Sequence, residues 1–269
     1  METTKRLKDK VIIITGAGSG FGRTGAVRLA QEGAKIIAAD INEEGTKETV
    51  RMVEEAGGSA IGVRTNVADK NDVKNMVQAA VDKFGRLDGI WNNAGIQGET
   101  DYDIFHCPED MIDRYLDIDV KGVWYGCHFA APELVKTKGV ILNTASIVAS
   151  LGTFGCSTYG PAKGAVQTLT YTVAWELGMH GVRCNCISPY CVATPGTIDQ
   201  GPELLELQSS GTVYHRLAEV DEVIGAALFL LSDASSAVTG FDLRVDLGAA
   251  VRTMPWDIEK FKQKNPYEI

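Results

Sequence analysis

The stretch Val11-Ile12-Ile13-Ile14-Thr15-Gly16-Ala17-Gly18-Ser19-Gly20-Phe21-Gly22 decides the architecture. Its first half is an unbroken apolar, β-branched run, the pattern of a strand covered on both faces. Glycines end the run. From Phe21 to Glu32 the apolar positions Val27, Leu29 and Ala30 recur at near-helical spacing, and Gly33 stands where a helix would stop. In the turn between strand and helix, glycines let the backbone approach a pyrophosphate closely, and the exposed amides of a helix N-terminus then face its negative charge.

Outward from this unit the alternation repeats. Strands are expected over Lys35 to Asp40, Ser59 to Thr65, Leu87 to Trp91, Val140 to Thr144, Val182 to Ile187 and Phe241 to Val245. Between them helical patterns run over Glu43 to Ala56, Asp69 to Phe84 behind an Asp cap, Pro108 to Val135, Ser157 to Leu177 and Asp221 to Leu231. Strands separated by crossover helices lie parallel, which predicts an α/β chain with a doubly wound parallel sheet of about seven strands and a ligand crevice at their carboxyl ends. Residues 1–269 read as one domain, with no repeat or linker. Within it, Thr194 to Arg216 is polar and weakly periodic, and is expected to be a mobile lid or substrate loop. The tail from Val251 to Ile269 is expected to make subunit contacts or to cover a site.

Composition excludes several classes of function. The chain has 269 residues, 45% of them hydrophobic and 23% charged, and no apolar run of the roughly 20 residues that span a bilayer. The net charge of -9 opposes phosphate contacts, so nucleic acid is a poor partner. The polar start, Met1 to Lys10, lacks a signal-peptide pattern, and a cytoplasmic location is expected. Cys107, Cys127, Cys156, Cys184, Cys186 and Cys191 match no zinc spacing and read as free thiols, and the four histidines form no metal motif, so no metal is expected.

Asp40 ends the second strand about 20 residues past the glycine turn, where a carboxylate accepts hydrogen bonds from ribose hydroxyls and repels a 2'-phosphate. Neither Ser19 nor Ile41 offers a cation to neutralise such a phosphate, so NAD is expected over NADP. Tyr159 and Lys163 are four residues apart and share a helix face, from which the ammonium favours the phenolate. Lowering a phenol from its usual pKa of about 10 by ~3 units takes about 4 kcal/mol of preferential phenolate stabilisation. Pro161 fits this helix if it lies in the first turn, where its missing amide proton is not needed.

These residues resemble the classical short-chain dehydrogenase/reductase family, and the resemblance covers nearly the whole chain. Thr15, Gly16, Gly20 and Gly22 match the family's T-G-x-x-x-G-x-G turn, in which Ser19 and Phe21 also lie. Asn92-Asn93-Ala94-Gly95 resembles its N-N-A-G segment, and Asn66-Val67 its adenine-side D-V pair with Asn in place of Asp. The resemblance implies a single-domain Rossmann fold. It also implies cofactor contacts from Asn66, Val67, Asn93, Ala94 and Gly95, and from Pro189, Val192 and Thr194 beside the nicotinamide. Ser146, thirteen residues before Tyr159, matches the family's serine, which orients the substrate oxygen while the tyrosine takes the alcohol proton and the lysine holds the ribose.

Three further positions depart from the family pattern. Asp119, in Asp119-Val120-Lys121-Gly122, replaces the Asn that completes the catalytic set; in the family that residue's main-chain carbonyl holds a water next to the lysine, and an Asp keeps the carbonyl. Tyr190 stands where many relatives have Gly after Pro189, and is expected to wall the substrate site together with Ser146 and Tyr159. Leu247 replaces the first Gly of the closing V-D-G-G. The reading that results is an NAD-dependent interconversion of a secondary alcohol and a ketone. Phe105, Ile147, Val148, Leu151, Phe154, Tyr190 and Val213 are expected to form an apolar pocket suited to an alicyclic or steroid substrate. Acyl-thioester or sugar substrates, or a non-catalytic dinucleotide sensor, are the alternatives. A homotetramer through Lys121 to Val135 and Ser157 to Leu177 is implied by the resemblance.

Overall fold

The isoleucine run becomes a strand because both of its faces are taken. In the computed structural model, which describes residues 5–96, 103–199 and 201–251, strand β1 (Val11–Thr15) is buried at every position. Ile12 and Ile14 enter one core layer and Val11 and Ile13 the other, as the two-residue period of a strand requires. Each isoleucine removed from water on both sides contributes roughly 1.5–3 kcal/mol. A polar alternation would forfeit that on one face.

Helix α1 (Gly20–Gln31) follows and stops as its sequence indicates. Gly33 takes a φ of +95°, and the amides of Gly33 and Ala34 donate back to Ala30 and Leu29 at 2.9 and 3.1 Å, satisfying two terminal carbonyls. The chain continues through β2 (Lys35–Asp40), α2 (Glu43–Glu55), β3 (Ser59–Arg64), α3 (Lys70–Phe84), β4 (Gly89–Asn92), α4 (Glu109–Tyr115), a π-helical turn (Leu116–Lys121) and α5 (Gly122–Thr137). It is completed by β5 (Val140–Thr144), α6 (Tyr159–Gly178), β6 (Arg183–Pro189), α7 (Pro195–Ile198), α8 (Pro202–Ser210), α9 (Val220–Leu231) and β7 (Asp242–Val245). The Asp69 carboxylate accepts from Asn71 N at the start of α3, as an Asp cap does.

All strands are parallel in the order β3-β2-β1-β4-β5-β6-β7. The single-domain, doubly wound Rossmann architecture is therefore the one the sequence implies. Helices α1 and α9 pack on one face, and α3, α5 and α6 on the other. Cys184 and Cys186 lie buried on β6 in the second layer, and all six cysteines are free thiols. Among the described residues no helix is long and apolar enough to cross a membrane.

Two expectations change. The segment Thr194 to Arg216 contains two helices, α7 and α8, rather than a loop. Helix α8 buries none of its residues, so it needs no apolar periodicity, and Pro202 in its first turn presets its start. The helical stretch from Pro108 to Val135 is broken by the π turn, which residue periodicity does not announce. Of the tail, residues 252–269 lie outside the described residues.

A buried amide ladder ties the sheet to its helices. Asn92 Nδ2 donates to Asn143 Oδ1 on the neighbouring strand at 2.9 Å, and Asn143 Nδ2 donates to Thr170 Oγ1 on α6 at 2.9 Å. Helix α5 approaches so closely at Gly126 that a Cβ there would overlap Asn92 Oδ1. Gly126→Ala is therefore expected to cost about 1–3 kcal/mol through overpacking, read as a lower urea midpoint at unchanged slope.

Candidate active site

Strand order reverses around β1, which has β2 on one side and β4 on the other, and the loops leaving these strands diverge. A cleft of about 630 Å³ opens there at the carboxyl ends of the strands. Its floor is set by Thr15. That hydroxyl accepts from Asn93 N at 2.9 Å and Ala94 N at 3.0 Å, while Asn93 Nδ2 donates to Thr15 O at 3.0 Å. Gly16, at φ +66°, passes so near Ala94 that a Cβ would lie 2.9 Å from its Cα.

Gly16, Ser19, Gly20 and Phe21 line the cleft. Gly22 does not; it is buried beneath the turn, where a Cβ would overlap the Gly16 carbonyl. The N-terminus of α1 has no side-chain cap and no acidic residue in its first turn. Helices α2, α3 and α9 are capped by Asn42, Asp69 and the Glu219/Glu222 box. The orphan amides of α1 are thus free to hold an anion, and Gly20 has nothing within 4 Å of where its Cβ would be.

Asp40 and Ile41 stand at one end of the cleft. The Asp40 carboxylate accepts from Gly18 N at 2.9 Å and Asn42 N at 2.8 Å, which fixes its orientation. Asn66 and Val67 form the adjoining wall; Asn66 Oδ1 accepts from Ala68 N at 3.1 Å. Asn93, Ala94 and Gly95 line the middle, and Ser146, Tyr159, Lys163, Pro189, Tyr190, Val192 and Thr194 the far end. Thr194 Oγ1 lies 2.9 Å from Thr197 Oγ1, a second hydroxyl that no motif marks. The residues present therefore fit a dinucleotide, with an uncapped helix start, an oriented carboxylate and a polar far end in one crevice.

Helix α6 begins at Tyr159, so Pro161 does lie in its first turn. Lys163 Nζ sits 5.5 Å from the Tyr159 ring centre and donates to Thr144 O at 3.1 Å. Ser146 Oγ donates to Pro189 O at 3.5 Å, and the Ser146 hydroxyl is close enough to the phenol to favour its ionised form. Asp119 does not line the cleft. It acts from behind, with its carboxylate 2.8 Å from Lys163 Nζ and accepting from Ile96 N at 3.1 Å. The side chain of Asp119, rather than its main-chain carbonyl, is thus what meets the lysine.

This pair corrects the expected acidity of Tyr159. Burial raises the phenol's pKa above its ordinary value; Lys163 and Ser146 lower it, but Asp119 raises it again. Burial also pulls the Lys163 ammonium down, yet Asp119 and Tyr159 outweigh it, and the group stays charged above the usual lysine range. Tyr115 joins the cluster, its ring 5.8 Å from that of Tyr159 and its phenol pushed up to about 12 by burial and Asp119. A sequence signal for it exists: Tyr115 precedes Asp119 by the same helical step that separates Tyr159 from Lys163.

The expected apolar pocket is divided. Ser146, Tyr159 and Tyr190 do share the cleft. Phe105, Val148, Leu151 and Phe154 instead line a separate cavity of about 640 Å³ that has no lining residue in common with it. Ile147 is buried in the core, and Val213 packs toward Gly248. Nearness to Tyr159 in the chain does not carry over, because the link from Ser146 bends through a 3-10 turn (Ile147–Ala149) and leaves Phe154 85% exposed. The two replaced glycines have a shared neighbour. Tyr190 Oη lies 2.7 Å from where a Gly211 Cβ would be, and Leu247, at φ +50°, accepts at its carbonyl from Val213 N at 3.0 Å.

Residues 16–250 match the family model described as enoyl-(acyl carrier protein) reductase. The chain is 36% identical over 250 residues to the 2,5-dichloro-2,5-cyclohexadiene-1,4-diol dehydrogenase of Sphingobium indicum, covering 91% of this chain and 98% of that one. It is 36% identical over 248 residues to the cyclohexanol dehydrogenase of an Acinetobacter species, covering 90% and 96%. Among solved structures, a 7α-hydroxysteroid dehydrogenase complexed with NADH and 7-oxo glycochenodeoxycholic acid superposes with a TM-score of 0.85 at 30% identity, covering 91% of this chain and 96% of that one.

Thr15→Val keeps the strand but strips two loop amides of their acceptor. It is expected to weaken dinucleotide binding by about tenfold, the equivalent of about 1.4 kcal/mol, measured by isothermal titration calorimetry.

Proposed function

Because the chain belongs to the short-chain dehydrogenase/reductase family, we propose that it is an NAD-dependent oxidoreductase that interconverts a secondary alcohol and a ketone on an alicyclic or hydroxysteroid skeleton. The observation that carries this reading is the gathering of Ser146, Tyr159 and Lys163 in one cleft with Asp40 and the uncapped start of α1. Nucleotide binding alone requires no serine, tyrosine and lysine at the far end.

Each residue has a part in holding the reactants or moving the proton. The amides from Gly16 to Phe21 would hold the pyrophosphate, and Asn66 and Val67 would face the adenine. Asp40 would accept from the ribose hydroxyls and repel a 2'-phosphate, with no cation at Ser19 or Ile41 to offset it. Asn93, Ala94, Gly95 and Lys163 would surround the second ribose, and Pro189, Val192 and Thr194 the carboxamide end. Bound NAD would supply the two-electron acceptor for the carbon-bound hydrogen. Ser146 would orient the substrate oxygen, and Tyr159 would take the hydroxyl proton in oxidation and return it in reduction. Tyr190, Ile96 and Ile118, which line the same cleft, would pack on the substrate's rings, with the 194–216 segment closing over them. The cyclohexadiene-diol, the cyclohexanol and the steroid named for two relatives and one solved structure support this choice, and the family model's acyl-carrier-protein description supports an acyl thioester as the second reading. Six free thiols suit a reducing cytoplasm.

Incubation with NAD and a panel of cyclic and acyclic secondary alcohols tests the reading through nicotinamide absorbance. Turnover is expected to be highest on cyclic alcohols and higher with NAD than with NADP. Tyr159→Phe is expected to lower kcat about 10³-fold while calorimetry still finds NAD bound. Tight NAD binding without turnover across the panel would mean a dinucleotide sensor instead.

Assembly as a homotetramer through α5 and α6 is part of the same proposal. Trp124 stacks on His128 at 4.7 Å on α5, and Trp175 of α6 is 85% exposed, a large apolar surface that a second copy would cover. Trp175→Glu is expected to shift the mass in light scattering from a tetramer to smaller species. An unchanged tetramer would place the interface elsewhere.

A further inference from the structure

The N-terminal turns of α6 face the end of α4 and the π turn that follows it, residue by residue. Tyr115 meets Tyr159 ring to ring at 5.8 Å, and one helical step later Asp119 meets Lys163, carboxylate to ammonium at 2.8 Å. The Asp119 side chain is fully buried and that of Lys163 is 5% exposed, so the pair is held away from screening water. Its geometry is fixed from both ends. Ile96 N donates to the second carboxylate oxygen at 3.1 Å, and Thr144 O takes a hydrogen bond from the ammonium at 3.1 Å. Gly95 rests against the pair, since a Cβ there would lie 2.6 Å from Asp119 Oδ1 and 3.2 Å from Lys163 Nζ.

The geometry points to Asp119 as a positioning residue that locks the Lys163 ammonium and sets the proton affinity of the Tyr159 phenol, making it a stronger base than an asparagine at that site would. An ammonium alone favours the phenolate, whereas an ammonium with a carboxylate at contact distance presents a much smaller net field to a group a few ångströms away. Among the described residues, Lys163 from α6 and Ser146 from beyond β5 favour the ionised form of the phenol, Asp119 from the π turn and Cys156 from the link before α6 oppose it, and Tyr115 from α4 packs its ring against it. Asparagine would keep the size and an oxygen for Lys163 but remove the charge. The carboxylate therefore keeps the phenol protonated to higher pH, and the protonated phenol is the form that ketone reduction needs.

This deepens the proposed function, but its first readout does not depend on turnover. Tyr159 is titrated by ultraviolet difference spectroscopy in the wild type and in D119N, each with its Y159F counterpart subtracted. D119N is expected to move the Tyr159 titration down by about one pH unit, and to move the ionising limb of kcat for alcohol oxidation the same way. D119L, which offers Lys163 no oxygen, is expected to lose at least about tenfold more kcat than D119N through misplacement of the ammonium. An unchanged or raised titration in D119N overturns the inference, as does a kcat for D119L equal to that of D119N. Should D119L fail to fold by circular dichroism, the D119N titration decides alone. If the titration shifts as stated while the wild type oxidises no alcohol in the panel, the functional reading fails and this one holds; turnover without the shift gives the reverse.

Discussion

The reversal of strand order at β1 is the constraint on which the rest of the site depends. A right-handed crossover carries the chain from β1 to β2 on one side, and the later crossovers carry it from β4 outward on the other. The loops leaving β1 and β4 are thereby drawn apart at their starts, and the Thr15 hydroxyl then pulls the Asn93-Ala94 amides back toward the glycine turn. Without that tie the crevice would have a floor of unpaired backbone groups. With it, every residue from Asp40 to Tyr159 is measured from one rigid edge. The apolar run of β1 matters for the same reason: a strand held on both faces cannot tilt, so the turn that follows has one orientation.

Burying an ion pair beside the phenol is costly, and the structure spreads that cost over backbone already in place. Desolvating two charges can exceed their attraction unless the remaining donors and acceptors are matched. Here the Ile96 amide, in the loop after β4, and the Thr144 carbonyl, at the end of β5, provide that match. Breaking such a pair by deleting one member leaves an unmatched charge worth about 3–5 kcal/mol. The π turn is what brings the carboxylate to this place. Asp119 is the buried residue of that turn, at the point where α4 hands over to α5.

Most of the fold and the glycine-turn end of the cleft were legible because their signals are local. Alternating apolar runs, the glycine turn and Asp40 all report on backbone within a few residues of themselves, and the strands differ from expectation by at most two residues at either end. The catalytic end was legible only in part. Tyr159, Lys163 and Ser146 carry a spacing, but the electrostatics of the phenol depend also on Asp119, which approaches from a different element through an unannounced π turn. The apolar pocket failed for a related reason. Side chains between Ser146 and Tyr159 are close to the chemistry along the chain, yet a tight turn points Phe154 and Leu151 into another cavity. The helices inside 194–216 were invisible because α8 buries nothing, and periodicity records burial rather than helicity.

Tyr190 and Leu247 show that two departures distant in sequence serve one place. Leu247 holds a left-handed φ of +50°, a strain of order 1–3 kcal/mol for a residue with a side chain. It persists because its side chain packs on the core while Asp246 takes hydrogen bonds from Gly248 N at 3.0 Å and Ala250 N at 2.9 Å. The strained carbonyl receives Val213 N, and the Tyr190 ring lies under Gly211, so both replacements grip the chain just past α8. Thr212 Oγ1 and the Arg216–Glu222 pair, whose two guanidinium contacts measure 2.7 and 2.8 Å, extend that anchor to α9. Helix α8 itself has no buried residue. The chain just past α8, which two glycines would have left pliable, is thereby tied to β7 and α9 beside the cleft that Tyr190 and Tyr159 line.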